Sequence, residues 1–287
     1  MNLNHNLKWL LTSEDLDYIL TKKFIIANII MKKYGAPSVK KAFAILSAIS
    51  SSKNGMGVSD LAKKLKLAKS TVHGMSSALE ELGAVMRDPR TKKYKLGFTL
   101  LEIGRSAYSR IDLETSARPV TEKMMEKTRT SVFLGILNLD QVTILDIVES
   151  RQDLHITAPV GSTVPLFAGA VGKVFLASMP EEHAAKIVKA KGLPRFTDNS
   201  IVDVNSYFNE LHQVRKQGYA VDNEEYILGV RAVAAPLTGL GQLRSAIWAV
   251  GFKANLDKKK MQALIGETLQ AARTISRRIQ EQLLGKK

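Results

Sequence analysis

The chain has 287 residues, no cysteine, a mean hydropathy of −0.06 and a net charge of +15. That length suits two compact domains with a core each. The missing cysteine excludes disulfides, thiol nucleophiles and cysteine metal sites, and no apolar run approaches the ~18 residues that cross a bilayer.

In chain order, residues 1–37 read as an extension without fixed structure. Trp9-Leu10-Leu11 is too short for a signal peptide and Glu14, Asp15 and Asp17 follow at once, so the cytoplasm is the expected compartment. Residues 24–30 read as a short helix or strand with no evident partner, and either Met31 is the real start or residues 1–30 are a dispensable arm. Val39, Ala42, Phe43, Leu46 and Ile49 then fall at helical spacing behind Ser38, the expected cap. Ser50-Ser51-Ser52-Lys53-Asn54-Gly55 is a loop.

Two short helical patterns follow. Val58, Leu61, Ala62 and Leu65 stripe the first, with Ser59 as its cap. Val72, Met75, Leu79 and Leu82 stripe the second, with Ser70 as its cap and Gly83 as a left-handed stop. Lys66-Leu67-Ala68-Lys69 has the length of the tight turn in a helix-turn-helix. With the second stripe buried, Lys69, Thr71, His73, Gly74 and Ser77 face outward, and short polar side chains on such a helix reach base edges in the major groove. Residues 84–88 and 92–96 read as a hairpin closed by Asp88-Pro89-Arg90-Thr91. Arg90, Lys92, Lys93 and Lys95 place four cations at its tip, which suits a wing laid on phosphates.

A solvated basic hairpin beside an ordinary helical pair is the plainer alternative. The distribution of charge favours a duplex: residues 31–110 carry 16 Lys and Arg against 5 Asp and Glu, and residues 111–287 carry 23 against 19. Such a concentration marks a polyanion partner. An anionic membrane would want a basic amphipathic helix of matching strength, which the chain lacks.

Phe98, Leu100, Leu101, Ile103, Tyr108 and Ile111 mark a helix leading away from this module. Arg118-Pro119 restarts a helix with proline in its first turn and Val120, Met124 and Met125 on its buried side, leaving residues 98–118 as a connector. From Ser131 the period becomes that of strands. Residues 132–137 and 142–148 form a hairpin, and 154–160 a third strand. Residues 165–177 are a loop feeding a helix packed on Ala168, Gly169, Ala170 and Gly172. Helices at 180–191 and 204–217 and strands at 230–237 and 243–252 follow. A last amphipathic helix from Lys258 to about Leu284 packs Met261, Leu264, Ile265, Leu269, Ala272, Ile275 and Ile279. The sum is an α+β unit with a largely antiparallel sheet.

Several phrases in this order resemble the IclR family of bacterial transcription regulators. In the first module they are Lys69-Ser70-Thr71-Val72-His73, Leu79-Glu80-Glu81-Leu82-Gly83 and Tyr94-Lys95-Leu96-Gly97. In the second they include Gly161-Ser162-Thr163-Val164-Pro165-Leu166, Ala170-Val171-Gly172-Lys173, Phe196-Thr197, Gly218-Tyr219-Ala220-Val221-Asp222-Asn223-Glu224-Glu225, Gly229-Val230-Arg231 and Ala234-Ala235-Pro236. The match runs over residues 38–280. The resemblance implies a winged helix-turn-helix at 38–97, a linker helix at 98–118 and a GAF-like α/β effector-binding domain at 119–287. It implies a homodimer, or a dimer of dimers, on a palindromic or repeated double-stranded DNA operator, a small-molecule effector, and no catalytic residue, metal, cofactor or membrane. DNA contacts are expected from Lys69, Ser70, Thr71, His73, Ser77, Arg90, Lys92 and Lys93. The effector cup is expected from Ile156, Ala158, Ala170, Val171, Asp222, Ala232, Trp248 and Val250.

Two departures bear on those expectations. Gly74 stands where the family has arginine after the histidine, so operator preference cannot be borrowed. The last strand reads Ile247-Trp248-Ala249-Val250-Gly251 where the family cup has hydroxyl side chains, so this cup is expected to be larger-walled and more apolar. Residue by residue, plainer roles stay open. The small residues at Ala170-Val171-Gly172 serve either an exposed helix start that receives a carboxylate or close helix–sheet packing. Trp248 is cup wall or core, and Asp222 is a cup residue or part of a solvated acidic turn in which Glu224 hydrogen-bonds backbone. With the family, an organic acid or aromatic metabolite is the expected effector.

Two other functional classes compete. An enzyme is disfavoured because His5, His73, His155, His183 and His212 are scattered with no metal-ligand spacing, and Gly172-Lys173 lacks the upstream glycine of a phosphate loop. An architectural DNA-coating protein would explain the charge but not the second domain.

Overall fold

The computed structural model describes residues 36–108, 113–241 and 243–285, so the expectations for the N-terminal arm and for Met31 lie outside the described residues. The chain divides into two compact units at residues 110 and 111. No helix among the described residues is long and apolar enough to cross a membrane.

The first unit runs α1 (Pro37–Ser50), α2 (Val58–Leu65), α3 (Lys69–Glu81), β1 (Val85–Arg87), β2 (Tyr94–Leu96) and α4 (Phe98–Tyr108). The core consists of Ile45, Ala48, Ile49, Leu61, Ala62, Val72, Val85 and Tyr94; of the stripe expected on α1 only Ile49 is buried, Val39 and Phe43 being exposed, and Leu82 at the end of the α3 stripe is exposed as well. None of the three expected serine caps caps a helix. Pro37 starts α1 one residue ahead of Ser38, with its fixed φ and no N–H to satisfy. Gly57 and Ala68 precede α2 and α3 in extended conformation, leaving Ser59 and Ser70 inside the first turns. Tertiary geometry sets these starts. The Met56 N–H donates to Tyr94 O at 3.0 Å and the Tyr94 N–H to Met56 O at 2.9 Å, which fixes where α2 begins. Left-handed Lys66 (φ 54°) then ends α2 and fixes the entry to α3.

Gly83 does stop α3. Its φ is +68°, its N–H donates to Glu80 O at 2.9 Å, and the Ala84 N–H donates to Leu79 O at 2.8 Å. This pair of bonds closes a Schellman motif, whose left-handed position glycine fills without strain. The chain turns straight into the wing, where β1 and β2 pair antiparallel with Arg87 opposite Tyr94.

The second unit holds α5 (Leu113–Thr128), β3 (Ser131–Asn138), β4 (Gln141–Val148), β5 (Thr163–Pro165), α6 (Gly169–Ala177), α7 (Glu181–Lys191), α8 (Val204–Gln217), β6 (Ala220–Asn223), β7 (Val230–Leu237), β8 (Ser245–Phe252) and α9 (Lys258–Gly285). The strands form one antiparallel sheet in the order β5-β4-β3-β8-β7-β6. Alternate residues of β8 feed two cores. Ala246, Trp248 and Val250 pack with α6 and α8; Ile247 and Ala249 pack with α5 and α9. A strand covered on both faces reads as a continuous apolar run, which is why β3, β7 and β8 were legible.

Two expectations need correction. The helix after the connector does not restart at Arg118. A helix runs from Leu113, and Leu113 and Ala117, four apart, are buried in the second unit. Pro119 lies within this helix rather than in its first turn, and has no N–H to give the Thr115 carbonyl. Residues 154–160 form no strand. The strand that pairs with β4 is Thr163–Pro165, preceded by left-handed Gly161 (φ +82°), whose N–H still donates to Ile144 O at 2.8 Å. Residues 220–223, unassigned in the sequence reading, form an edge strand, β6.

Candidate nucleic-acid interface and buried cavity

On α3 the buried side is Val72 and Ser76, with Met75 and Leu79 half-buried. Lys69, Ser70, His73 and Gly74 are exposed, on one face by their spacing of three and four; Thr71 and Ser77 are half-buried at its margins rather than fully outward. No acidic residue appears on the helix before Glu80. At the wing tip the Asp88 carboxylate accepts the Arg90 N–H at 2.9 Å and the Thr91 N–H at 2.8 Å. The bonds from Thr91 and then Arg90 hold this carboxyl below its ordinary range. The turn so fixed carries Arg90 and Lys92 into solvent, with Lys93 half-buried and Lys95 exposed on β2. Lys92 is left-handed (φ 58°), the one costly backbone position of the turn.

In the second unit the eight expected cup residues, Ile156, Ala158, Ala170, Val171, Asp222, Ala232, Trp248 and Val250, line one cavity of about 260 Å³. They come from five separated segments. The sheet register explains the convergence: Asp222 lies opposite Ala232, Ala232 opposite Val250, and Trp248 opposite Phe133. The indole stacks on Phe133 at 5.3 Å with 8° between the planes. Gly135 makes room for it, since a Cβ there would stand 2.8 Å from the ring. So Trp248 is both core and wall. Asp222 is buried, not solvated, and burial is the main cause that pushes its carboxyl up. Its Oδ1 accepts the Glu225 N–H at 2.6 Å. Glu224 hydrogen-bonds backbone, accepting the Gly229 N–H at 3.1 Å, and pairs with Lys253 at 2.6 Å.

Sequence reasoning set Lys173 aside as a failed phosphate loop. It is 2% exposed, and its Nζ donates to Val221 O (2.9 Å), Glu210 (3.0 Å) and Glu225 (2.6 Å). The available signal was a lysine inside the apolar helix Gly-Ala-Val-Gly-Lys-Val-Phe-Leu-Ala, which has to find buried partners. Thr197 and Ser200 complete the support: their hydroxyls donate to the Glu224 and Glu225 carbonyls. The Phe196-Thr197 and Asp222-to-Glu225 phrases are thereby one structure. Phe133, Ile144, Thr157, Ser162, Thr163 and Tyr226 also line the cavity without having been expected to.

Comparison with known proteins bears on both regions. Residues 38–89 match the model of the IclR helix-turn-helix domain, and residues 105–277 that of the bacterial transcriptional regulator IclR C-terminal domain. The transcriptional regulator BhcR of Paracoccus denitrificans is 31% identical over 243 residues, 84% of this chain and 87% of that protein. The crystal structure of an IclR transcriptional regulator from Alicyclobacillus acidocaldarius superposes with a TM-score of 0.73 at 26% identity, covering 85% of this chain and 98% of the other. An IclR homologue from Microbacterium hydrocarbonoxydans, crystallised with 4-hydroxybenzoate, superposes with a TM-score of 0.71 at 22% identity, covering 85% and 99%.

Proposed function

The chain belongs to the IclR family of bacterial transcriptional regulators, and from that premise we propose that a small metabolite held in the second unit's cavity controls its affinity for a double-stranded DNA operator. Lys69, Ser70, Thr71, His73 and Ser77 on α3 read the site, and Arg90, Lys92 and Lys93 on the wing hold phosphates. The observation that carries the reading is the convergence of eight residues from five segments on one cavity, in a chain whose other unit is a basic winged helix. The effector is an organic acid or an aromatic compound. The homologue crystallised with 4-hydroxybenzoate supports a ring-sized ligand.

The active species is a homodimer or a pair of dimers. Val39 and Phe43 on α1 and Phe98, Leu101 and Ile103 on α4 are each more than half exposed, an apolar surface that a monomer would leave wet. The effector prefers one arrangement of the C-terminal units and so alters the spacing of two recognition helices. Half-sites one turn apart, ~34 Å, tolerate little mismatch. The test is to sequence the genomic fragments retained by the purified full chain, then titrate the recovered site with and without a metabolite panel. A protein that preferred no duplex over unrelated polyanions, or whose operator affinity no organic acid or aromatic compound altered, would refute the proposal.

A further inference from the structure

A larger hollow adjoins the effector cavity in the second unit. It is a cleft of about 550 Å³ at the end of the sheet where β3 begins and β8 finishes, lined also by the last turn of α5 and the first turns of α9. Its floor is apolar: Val250, Leu256 and Leu264 are buried, and Ile156 and Phe252 half-buried. Its rim is basic. Lys127 and Glu267 balance each other at 2.9 Å, and the His155 Nε2 lies 3.5 Å from Glu149, which is not on the cleft. Lys260 is within electrostatic reach of Asp257, also outside the cleft. The Arg129 guanidinium has no ion-pair or hydrogen-bond partner among the described residues. The cleft wall thus holds two cations, Arg129 and Lys260, that no carboxylate on it balances.

Arg129 is also a costly residue for its place. It follows α5 at φ +54°, a left-handed position that glycine fills without strain. Its N–H donates to Met125 O at 2.7 Å, and its carbonyl accepts the Ser150 hydroxyl at 2.9 Å. A fixed, strained backbone that presents a charged side chain at a cleft points to a use for that side chain. Unbalanced cations above an apolar floor suit an amphipathic anion, a carboxylate or phosphate on an apolar body, and the volume is that of a small-molecule site. The position of the cleft adds a consequence. Ile156 and Val250 line both the cleft and the effector cavity. The register shows how: Val250 lies opposite Ser131, which is on the cleft, and opposite Ala232, which is on the cavity. Two side chains form the partition, and close packing carries a constraint on one side of it to the other.

We infer that this cleft is a second ligand site, for a small amphipathic anion held by Arg129 and Lys260, and that its occupant is felt in the neighbouring cavity through Ile156 and Val250. The site goes beyond the regulatory role proposed above and does not depend on what the cavity holds.

The test uses calorimetry on the full chain with octanoate, octyl phosphate, octylamine and inorganic phosphate. Octanoate and octyl phosphate are expected to bind. Octylamine, with the tail but the wrong charge, and inorganic phosphate, with the charge but no tail, should each bind at least about tenfold more weakly. Arg129→Glu with Lys260→Glu should weaken octanoate by at least about tenfold. Ala263→Phe, at an exposed position where α9 lines the cleft, should block it. None of these three residues lines the cavity. The wild-type ranking decides the charge preference even if a variant fails to fold. No binding by either amphiphilic anion, octylamine binding as tightly as octanoate, or octanoate binding untouched in folded forms of both variants overturns the site. The coupling has its own readout. Trp9→Phe leaves Trp248, which lines the cavity and not the cleft, as the sole tryptophan. Octanoate should shift its emission in that background and should not once Ala263→Phe is added. Octanoate bound in the cleft without a shift overturns the coupling. None of these readouts involves DNA, so a failure of the proposed regulation would leave them unchanged.

Discussion

A Cβ on Gly169 would collide with Asp222, and the backbone there is left-handed at φ +56°. Gly169→Ala therefore meets two penalties: roughly 1–2 kcal/mol for a left-handed alanine, and displacement of a buried carboxylate from its Glu225 N–H. The variant is expected to unfold at lower urea with an unchanged slope and to lose ligand affinity, both readable on the same sample. Asp222 makes a separate prediction through pH. Burial, the largest influence, raises its carboxyl above the ordinary value, against the Glu225 N–H and the charge of Lys173, while Glu224 adds to the rise. The folded protein thus holds that proton more tightly than the unfolded chain, protonation favours folding, and stability declines as pH rises from the ordinary carboxylate value through the raised one. Glu225, also raised chiefly by burial, contributes with the same sign. Asp222→Asn should flatten part of that decline in melting temperature measured across the acid range. A variant with the wild-type slope would mean that Asp222 titrates normally.

At the scale of elements, α3 and the wing are proposed to divide the work of binding, and their variants should fail differently. Alanine at Lys69 or His73 is expected to narrow the gap between operator and unrelated duplex. Alanine at Arg90 or Lys92 should weaken all duplexes alike and lower the slope of log affinity against log salt by about one for each phosphate left without its cation. A wing variant with an unchanged salt slope would disprove the phosphate role. Gly74 gives a test within the helix. It is exposed, and a Cβ on it would meet nothing within 4 Å. Gly74→Ala should stabilise the first unit by roughly 0.5–1 kcal/mol, seen as a higher melting temperature. The elements themselves were legible where periodicity reports burial: the stripes of α2 and α3, the apolar runs of β3, β7 and β8, and the face of α9; on α1 the helix was legible but not its buried face, which is Ile45, Ala48 and Ile49. Where a segment's chemistry belongs to the cavity, the signal misled. β6 went unassigned because Asp222 and Asn223 are polar, and 154–160 looked like a strand because Leu154, Ile156, Ala158 and Val160 alternate in the sequence, whereas Ile156, Thr157 and Ala158 all line the cavity. Start signals failed for a related reason, since the Met56–Tyr94 pairing and left-handed Lys66 set the helix entries that the serines were expected to set. Lys173 stayed hidden because its partners Glu210 and Glu225 lie 37 and 52 residues away.

For the whole molecule the proposal is one of linkage, and linkage is symmetrical. If the effector lowers operator affinity by some factor, the operator must lower effector affinity by the same factor, whatever path the coupling takes. The two titrations are independent: duplex anisotropy at saturating effector, and effector calorimetry at saturating duplex. Equal factors are expected. Unequal factors would show that the effector acts on the DNA measurement by another route, such as a change in assembly. That route has its own control, because the exposed apolar side chains of α1 and α4 are the surface on which assembly is proposed to depend. Phe43→Glu with Phe98→Glu should yield a monomer by sedimentation, with operator affinity reduced by far more than affinity for a single half-site. The effector affinity of its second unit should be unaltered by duplex, because a molecule with one reading helix has no spacing for the effector to change. A monomer that still exchanged affinity between effector and DNA would place the coupling inside one chain and rule out a mechanism based on the separation of two recognition helices.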